Sequence, residues 1–407
     1  MQLLFAWRYF KAPKSTQAIN VIAWIAVVAI TVGTASLLVV LSVFNGFEGM
    51  VKSLYSSFYP DWSLSPKTGK VITLTAEQLA ALQKIKGVDA VSVVVEEKAM
   101  LQVDDKQVMV NLKGVDAAYA SVSGVPGHLV GGKFETGTAA QPSLILGAGV
   151  ESALQIMADR NLMPVTVYLA RPASGTQLNW SDAIQTDTAN TTATFLIQQD
   201  FDDQYAITSI DFMRRVLHLD PTQATGVEIK AAPHQSASAL RASLQAVVGA
   251  SVNIQDRFEQ NETLYKVMRT EKWIVYGVLS LILVVAAFTM IGALTMLVLE
   301  KQKDIGVLHA LGATTSLVQT IFLSEGLLLA CLGGVLGMLL AALLCWLQLH
   351  YHLIPLQGGS FIIDYYPVQL KAEDFLLVGC TVIGIALLAS WFPSAQAAKQ
   401  PILLREF

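Results

Sequence analysis

Four long stretches of the chain carry almost no charged residues. Each can hold the ~20 apolar residues that a helix needs to cross the hydrocarbon core of a bilayer. The predicted spans are Ala18–Phe44, Trp273–Val298, Val318–Leu347 and Phe375–Phe392. The pattern therefore predicts a membrane α-helical protein with four transmembrane helices. A large external α+β domain is inserted between helices 1 and 2.

The composition agrees with a membrane protein. Of the 407 residues, 53% are hydrophobic and only 14% are charged, whereas soluble domains carry about 25% charged residues. The net charge is −4 and the sequence has no basic patch, so we expect no nucleic-acid partner. Cys331, Cys345 and Cys380 all lie in predicted spans, where they form no disulfide framework for an external domain.

The orientation follows from lysine and arginine near the span ends, which favour the cytoplasmic side. Basic residues precede span 1, lie between spans 2 and 3, and follow span 4: Arg8, Lys11, Lys14, Lys301, Lys303, Lys399 and Arg405. Both termini and the loop between spans 2 and 3 are therefore predicted to be cytoplasmic, and the large segment after span 1 external.

These predictions divide the chain into consecutive segments. In order they are a cytoplasmic amphipathic N-terminus (1–16), transmembrane helix 1 with an external extension (17–47), an external α+β domain of two subdomains (48–265), transmembrane helix 2 (266–299), a cytoplasmic helix (300–314), transmembrane helix 3 (315–349), an external loop (350–373), transmembrane helix 4 (374–395) and a cytoplasmic tail (396–407).

The first helix is predicted to continue beyond the bilayer, because apolar residues recur there at helical spacing. A similar stripe precedes span 2. One interpretation is a structural stalk. The other is a lipid-facing cavity that admits acyl chains, for which soft methionine side chains are suited. The residues of that cavity would be Val43, Phe47, Met50, Leu54, Leu264 and Met268.

Within the external domain, two β-α-β pieces at 60–115 and 225–256 are predicted to form one split, ferredoxin-like layer. The first contains a capping box at Thr75 and a hairpin that turns at Asp104. The second subdomain lies between them. Its predicted strands are 144–146, 165–170 and 192–198, and its predicted helices are 149–157 and 210–217.

The segment Glu300–Thr314 is predicted to form a short amphipathic helix between spans 2 and 3. Its charges cluster at the start, its apolar residues recur at helical spacing, and a glycine stands where a helix C-terminal glycine belongs. The segment is either a docking helix for a partner or a solvated connector. The residues concerned are Glu300, Lys303, Asp304, Ile305, Leu308, Leu311 and Gly312.

This segment, followed by Leu323-Ser324-Glu325-Gly326, resembles the permease family of the lipoprotein-releasing proteins LolC and LolE, the MacB exporter and FtsX. The run Leu41–Glu48 resembles LolC and LolE specifically. The resemblance implies that 300–314 is a coupling helix on a cytoplasmic, LolD-like ATPase subunit. It also implies a bacterial inner-membrane protein with a periplasmic domain, paired with a second permease copy or paralogue.

The resemblance further implies extraction of lipoproteins and their transfer to a periplasmic, LolA-like carrier. The cavity residues above would then bind the lipoprotein. The long loop from Arg171 and Pro172 through Trp180 to about 190 corresponds in position to the carrier-binding hook of that family. Its local sequence departs from the LolC pattern.

Two further features bear on function. Glu325 lies inside span 3, where a charged residue is unfavourable unless it is paired or reaches water. It either makes a polar contact between helices or extends to the interface. Gly127–Phe134 has phosphate-loop spacing, but Phe134 replaces the residue that would hold magnesium, so we expect an irregular loop.

No hydrolase motif occurs in the sequence. We therefore expect a non-catalytic membrane subunit that binds no cofactor, with ATP and Mg on a partner ATPase subunit. The alternative is an FtsX-like scaffold that activates an external cell-wall hydrolase.

Overall fold

The computed structural model describes residues 17–160, 163–170, 184–233, 235–356 and 365–398. The described helices, in chain order, are α1 Gln17–Phe58, α2 Ala76–Gln83, α3 Tyr119–Val122, α4 Ala148–Leu154, α5 Gln199–Asp202, α6 Ile210–Leu217, α7 Ala237–Val248, α8 Arg257–Gln260, α9 Glu262–Glu300, α10 Gln302–Ala310, α11 Thr315–Tyr351 and α12 Ala372–Ala398.

The described strands, in chain order, are β1 Trp62–Pro66, β2 Ile72–Thr73, β3 Val88–Val103, β4 Lys106–Val115, β5 Leu129–Gly132, β6 Ser143–Gly147, β7 Val165–Ala170, β8 Ile184–Phe195, β9 Tyr205–Ser209, β10 Gln223–Ala224, β11 Gly226–Ala231 and β12 Val252–Asp256. The described residues form two compact units. The helical unit contains 17–50, 266–356 and 365–398, and the sheet unit contains 51–265.

Four helices, α1, α9, α11 and α12, are long and apolar enough to cross a membrane. Among the described residues, the number of candidate spans therefore agrees with the prediction. The predicted continuation of the first helix is also confirmed, because α1 is unbroken to Phe58. Helix α9 likewise begins at Glu262, well before the apolar stretch that starts at Trp273.

Glycines on α11 let the helices of the helical unit approach closely. A Cβ on Gly333 would lie 2.9 Å from the Val27 carbonyl oxygen, and one on Gly337 would lie 2.6 Å from that of Thr31. Both neighbours are on α1. In lipid, where water does not drive helices together, such close packing supplies much of the attraction between them. These two glycines of α11 therefore pack against α1.

The sheet unit contains one ten-stranded sheet and a short β2–β10 pair among its described residues. At one end the strand order is β12-β1-β11-β3. This order interleaves the two β-α-β pieces, because β1 lies between β11 and β12 and pairs with both in antiparallel fashion. The order is the one that a split ferredoxin-like layer requires.

The remaining strands continue the same sheet and join the ferredoxin-like strands through β3 and β4. Pairing runs from β3 through β4, β9, β6, β8 and β7 and returns to β3. Six strands therefore close on themselves as in a barrel. Leu101, Leu112, Leu146 and Ala193, one from each of four of these strands, are fully buried.

The local predictions differ in accuracy. The Thr75 capping box and the β3–β4 hairpin are confirmed. The strand predicted at 192–198 is wrong in its bounds, since β8 runs from Ile184 to Phe195. Most of β8 is Thr, Asn, Asp and Ala, so it lacks the hydrophobic signal of a strand. The irregular loop predicted at 127–134 is also wrong, because β5 lies within it and pairs with β8.

Candidate functional site

The connection between α9 and α11 contains the short helix α10, which lies within the predicted helical segment 300–314. Lys301 forms an ion pair with Asp304 at 3.1 Å. At the other end, Gly312 has φ of +90°. The Gly312 amide donates to the His309 carbonyl, and the Ala313 amide donates to that of Leu308. This is the glycine-terminated C-cap that the sequence predicts, and it ends α10 at a defined residue.

The apolar face predicted on α10 needs correction. Ile305 is 1% exposed and packs inside the helical unit. Its cluster is formed by residues of the same unit, namely Leu297, Val298, Val318, Phe322 and Ala397. Leu308 is half-buried. Ile305 therefore fixes α10 to its own chain and does not offer a surface to a partner.

The exposed apolar residues lie on the opposite side of α10. Leu311 is 80% exposed and Val307 is 59% exposed. Lys303, Val307 and Leu311 recur at every fourth position, which places them on one helix face. We call these three residues the α10 stripe. Val307 was absent from the predicted set, since a helical period identifies a face but not which face points inward.

The predicted lipoprotein-binding residues divide between the two units. Val43, Phe47, Met50 and Met268 belong to the helical unit. Leu54 and Leu264 belong to the sheet unit. Met50 and Leu54 are buried, and the other four are half-buried. A role in binding cargo stays a prediction for all six.

The end of α1 that lies in the sheet unit is held by an aromatic cluster. Phe58 is 1% exposed. It stacks on Phe201 at 4.5 Å between ring centroids and lies 4.6 Å from the Tyr205 ring. Stacked and tilted aromatic pairs at such distances contribute beyond the area that they bury. The cluster therefore fixes the last turn of α1 in the sheet unit.

A buried lysine completes this cluster. The ammonium group of Lys113 lies 5.2 Å from the centroid of the Phe58 ring and 5.3 Å from that of Tyr119. Burial by itself lowers the pKa of Lys113, but the nearby Glu228, Tyr119 and Glu96 outweigh it and hold that pKa well above its usual value. Burial also raises the pKa of Glu96. Lys113 is therefore a permanent cation beneath the end of α1.

Glu325 is 1% exposed, so it does not extend to the surface and the interfacial alternative is wrong. The neighbouring Gly326 explains how α11 packs there. A Cβ at that position would overlap the Ser390 hydroxyl of α12 and lie 2.8 Å from a Leu294 methyl of α9. Gly326 thus lies at a junction of three helices, next to the buried Glu325.

The predicted carrier-binding residues Arg171, Pro172 and Trp180 lie outside the described residues. The same holds for the amphipathic N-terminus at 1–16 and for the last part of the tail, 399–407.

Comparison with protein families gives two matches. The model described as the MacB-like periplasmic core domain matches residues 23–247, which is more than half of the chain. The model of the FtsX-like permease C-terminal domain matches residues 276–402. Together the two models cover strands β1 to β11, helices α11 and α12, and most of α1 and α9.

Individual relatives match over nearly the whole length. The chain is 27% identical to the lipoprotein-releasing system transmembrane protein LolC of Neisseria meningitidis serogroup B, over 97% of both chains. It is 26% identical to LolE of Haemophilus influenzae, over 97% of this chain and 96% of that one. These matches confirm the resemblance to LolC and LolE.

Among solved structures, the periplasmic region of MacB from Actinobacillus actinomycetemcomitans matches 53% of this chain and 98% of its own. The sequence identity is 11% and the TM-score is 0.36.

Proposed function

The chain belongs to the MacB/FtsX-type permease superfamily, and on that premise we propose that it is the membrane subunit of an ATP-driven system that releases lipoproteins from the inner membrane. ATP and Mg are bound by a separate cytoplasmic ATPase subunit. The chain works beside a second permease, either a copy or a paralogue. A periplasmic carrier receives the cargo.

The observation that carries this proposal is the continuity of the two long helices. Helix α1 runs unbroken through 42 residues and α9 through 39. At ~1.5 Å per residue each is about 60 Å long, roughly twice the hydrocarbon thickness of a bilayer. Rigid helices of this length relay motion from one side of a membrane to the other. Helix α10 adjoins α9 and is the element that would receive that motion.

The α10 stripe is the proposed contact with the ATPase subunit. Its two apolar members are exposed on a helix whose opposite face is fixed by Ile305. The contact therefore moves α10 together with α9 and α11. Cargo acyl chains are proposed to lie along the residues predicted from the sequence, including Phe47, Met50 and Met268.

Similarity to LolC and LolE over almost the entire chain favours lipoprotein release over the scaffold alternative. A photo-crosslinker at Met50 or Met268 separates the two. Capture of a lipoprotein is expected. Capture of none, with a cell-wall hydrolase trapped elsewhere on the chain, would favour the scaffold.

Docking is tested by Val307→Asp and Leu311→Asp. Both place a carboxylate on the α10 stripe, so loss of the copurifying ATPase subunit is expected. The matched control is Ser316→Asp, which adds the same charge at an exposed position in the first turn of α11. Retention of the ATPase by both stripe variants would remove the docking role.

A further inference from the structure

The segment Leu41–Glu48 makes a set of polar contacts inside the helical unit. Asn45 of α1 is completely buried. Its Nδ2 donates to the Asp374 carboxylate of α12 and, at 3.3 Å, to the Gln369 carbonyl oxygen. Its Oδ1 accepts a 2.8 Å hydrogen bond from the ammonium group of Lys272 on α9. One amide therefore joins three of the long helices.

The three side chains satisfy one another. Lys272 also donates to Asp374 at 3.4 Å. Asp374 is almost completely buried and lies in the first turn of α12, where the helix dipole favours a carboxylate. The Lys272 side chain is 27% exposed. An amide bonded to a cation on one side and an anion on the other uses both its acceptor and its donors, and such charge-assisted hydrogen bonds are the stronger ones.

The backbone around Asn45 is built for the same contact. A Cβ on Gly46 would overlap the Pro367 carbonyl group. The Gln369 amide donates to the Ser42 carbonyl at 2.9 Å. The segment before α12 therefore lies directly against the backbone of α1, which only glycine at position 46 permits.

We propose that Asn45, Lys272 and Asp374 form a polar clamp that fixes α1, α9 and α12 to one another. Asn45 is a positioning residue. It contacts no cargo, and it holds α1 in the place where a displacement of α9 reaches it. The role of the clamp in transport rests on the proposed function, whereas the clamp itself does not.

The arrangement predicts that the charges can be exchanged. In the swapped chain Lys272→Asp/Asp374→Lys, rotation of the Asn45 amide by a half turn would present its oxygen to the new lysine and its nitrogen to the new aspartate, with loss of the weaker hydrogen bond to the Gln369 carbonyl. Asn45→Leu offers neither group. Exchange of the two charges therefore distinguishes a specific polar contact of Asn45 from a side chain that only fills space.

The clamp is tested by cysteine accessibility in the full chain in nanodiscs. Ser42, which is fully buried, is replaced by Cys, and Cys331, Cys345 and Cys380 are replaced by Ala. A membrane-impermeant maleimide then reports opening. The introduced cysteine should be labelled roughly tenfold faster or more in each of three variants, Lys272→Met, Asp374→Asn and Asn45→Leu. The reason is that loss of a charge-assisted hydrogen bond shifts a local opening equilibrium by that order.

The swapped chain should label more slowly than the single variants. It should stay faster than the unsubstituted chain, because a cation in the first turn of α12 is unfavourable and the Gln369 hydrogen bond is lost. Lys371→Met is the matched control. It removes a half-exposed lysine on the same segment, 3.9 Å from Glu48, and should change the rate by less than about twofold, as surface ion pairs contribute little. Unchanged labelling in the single variants, or a swapped chain that labels as fast as they do, overturns the clamp.

ATP-dependent release of a lipoprotein is measured in the same preparations with the ATPase subunit bound. Release that falls in the single variants and returns in the swapped chain supports the positioning role. Fast labelling of the single variants with unchanged release overturns that role but still supports the clamp as a structural contact. No release by the unsubstituted chain overturns the proposed function, and the labelling result is unaffected.

Discussion

The ammonium group of Lys113 lies 2.5 Å from Oε1 of Glu228, and both side chains are almost completely buried in the sheet unit. Lys113 belongs to β4 and Glu228 to β11, which are separated in the sheet by β3. The pair therefore ties the ferredoxin-like strands to the closed strand circuit, beneath the aromatic cluster that holds α1.

Removal of one partner should cost far more than removal of both. Lys113→Met leaves Glu228 buried without its cation, which destabilises a protein by about 3–5 kcal/mol. The double variant Lys113→Met/Glu228→Leu should recover much of this loss, with Glu96 taking up a proton. Hydrogen exchange of the β4 amides in the full chain measures the loss of stability in the single variant and in the double variant. Equal losses in the single and double variants would contradict a coupled pair.

Asp202 predicts a pH dependence of the sheet unit. Burial raises the pKa of Asp202 to about 6, although hydrogen bonds from the Ile197 and Gln198 amides oppose the shift. A carboxyl whose pKa is higher in the folded state binds its proton more tightly there. Stability is therefore greatest at low pH and falls as the pH rises through about 4 to 6.

Asp202→Asn should abolish this dependence and keep the acceptor for the Ile197 amide. We expect slower hydrogen exchange in β9 for the variant at pH 7 and no difference at pH 4, after correction for intrinsic exchange rates. A variant that is less protected than the unsubstituted chain at pH 7 would show that ionised Asp202 is stabilising.

Gly46 and Gly49 offer a matched pair on α1. Gly46→Ala places a methyl group onto the Pro367 carbonyl, which should destabilise the helical unit by about 1–3 kcal/mol. Gly49→Ala places it 3.4 Å from the flexible Gln369 side chain, and alanine favours a helix by up to about 1 kcal/mol. The thermal unfolding temperature in detergent should therefore fall for Gly46→Ala and not for Gly49→Ala. Equal behaviour would mean that α1 does not lie as described.

Gly312 and Gly306 give a second pair, on and beside α10. Gly312 has positive φ, where alanine is strained by about 1 kcal/mol or more. Gly306 lies within the helix and faces open space, so alanine there should stabilise it. Hydrogen exchange of residues 302–313 should accelerate in Gly312→Ala and slow in Gly306→Ala. The reverse order would contradict the C-cap.

The sequence predicts the four long helices well because absence of charge over about 20 residues is a strong local signal. It also predicts the α10 C-cap, which one glycine determines. It does not predict which face of α10 is buried. Ile305 is turned inward by Val318, Phe322 and Ala397, residues that come from α11 and α12 and that no local period reveals.

The same limit applies to the clamp and to the sheet. Asn45 and Asp374 are 329 residues apart, and no spacing rule connects an amide on α1 with a carboxylate on α12. In the sequence, Asn45 and Gly46 stand out only as part of the run Leu41–Glu48 that resembles LolC and LolE. Likewise, the polar strand β8 becomes recognisable only once β6, β7 and β5 are seen beside it.

Each of the six strands in the closed circuit has a neighbour on both sides. Unpaired strand edges recruit extended segments of other polypeptides. Closing the circuit pairs these backbone groups within the chain, so these six described strands leave no free edge for β-augmentation by another polypeptide.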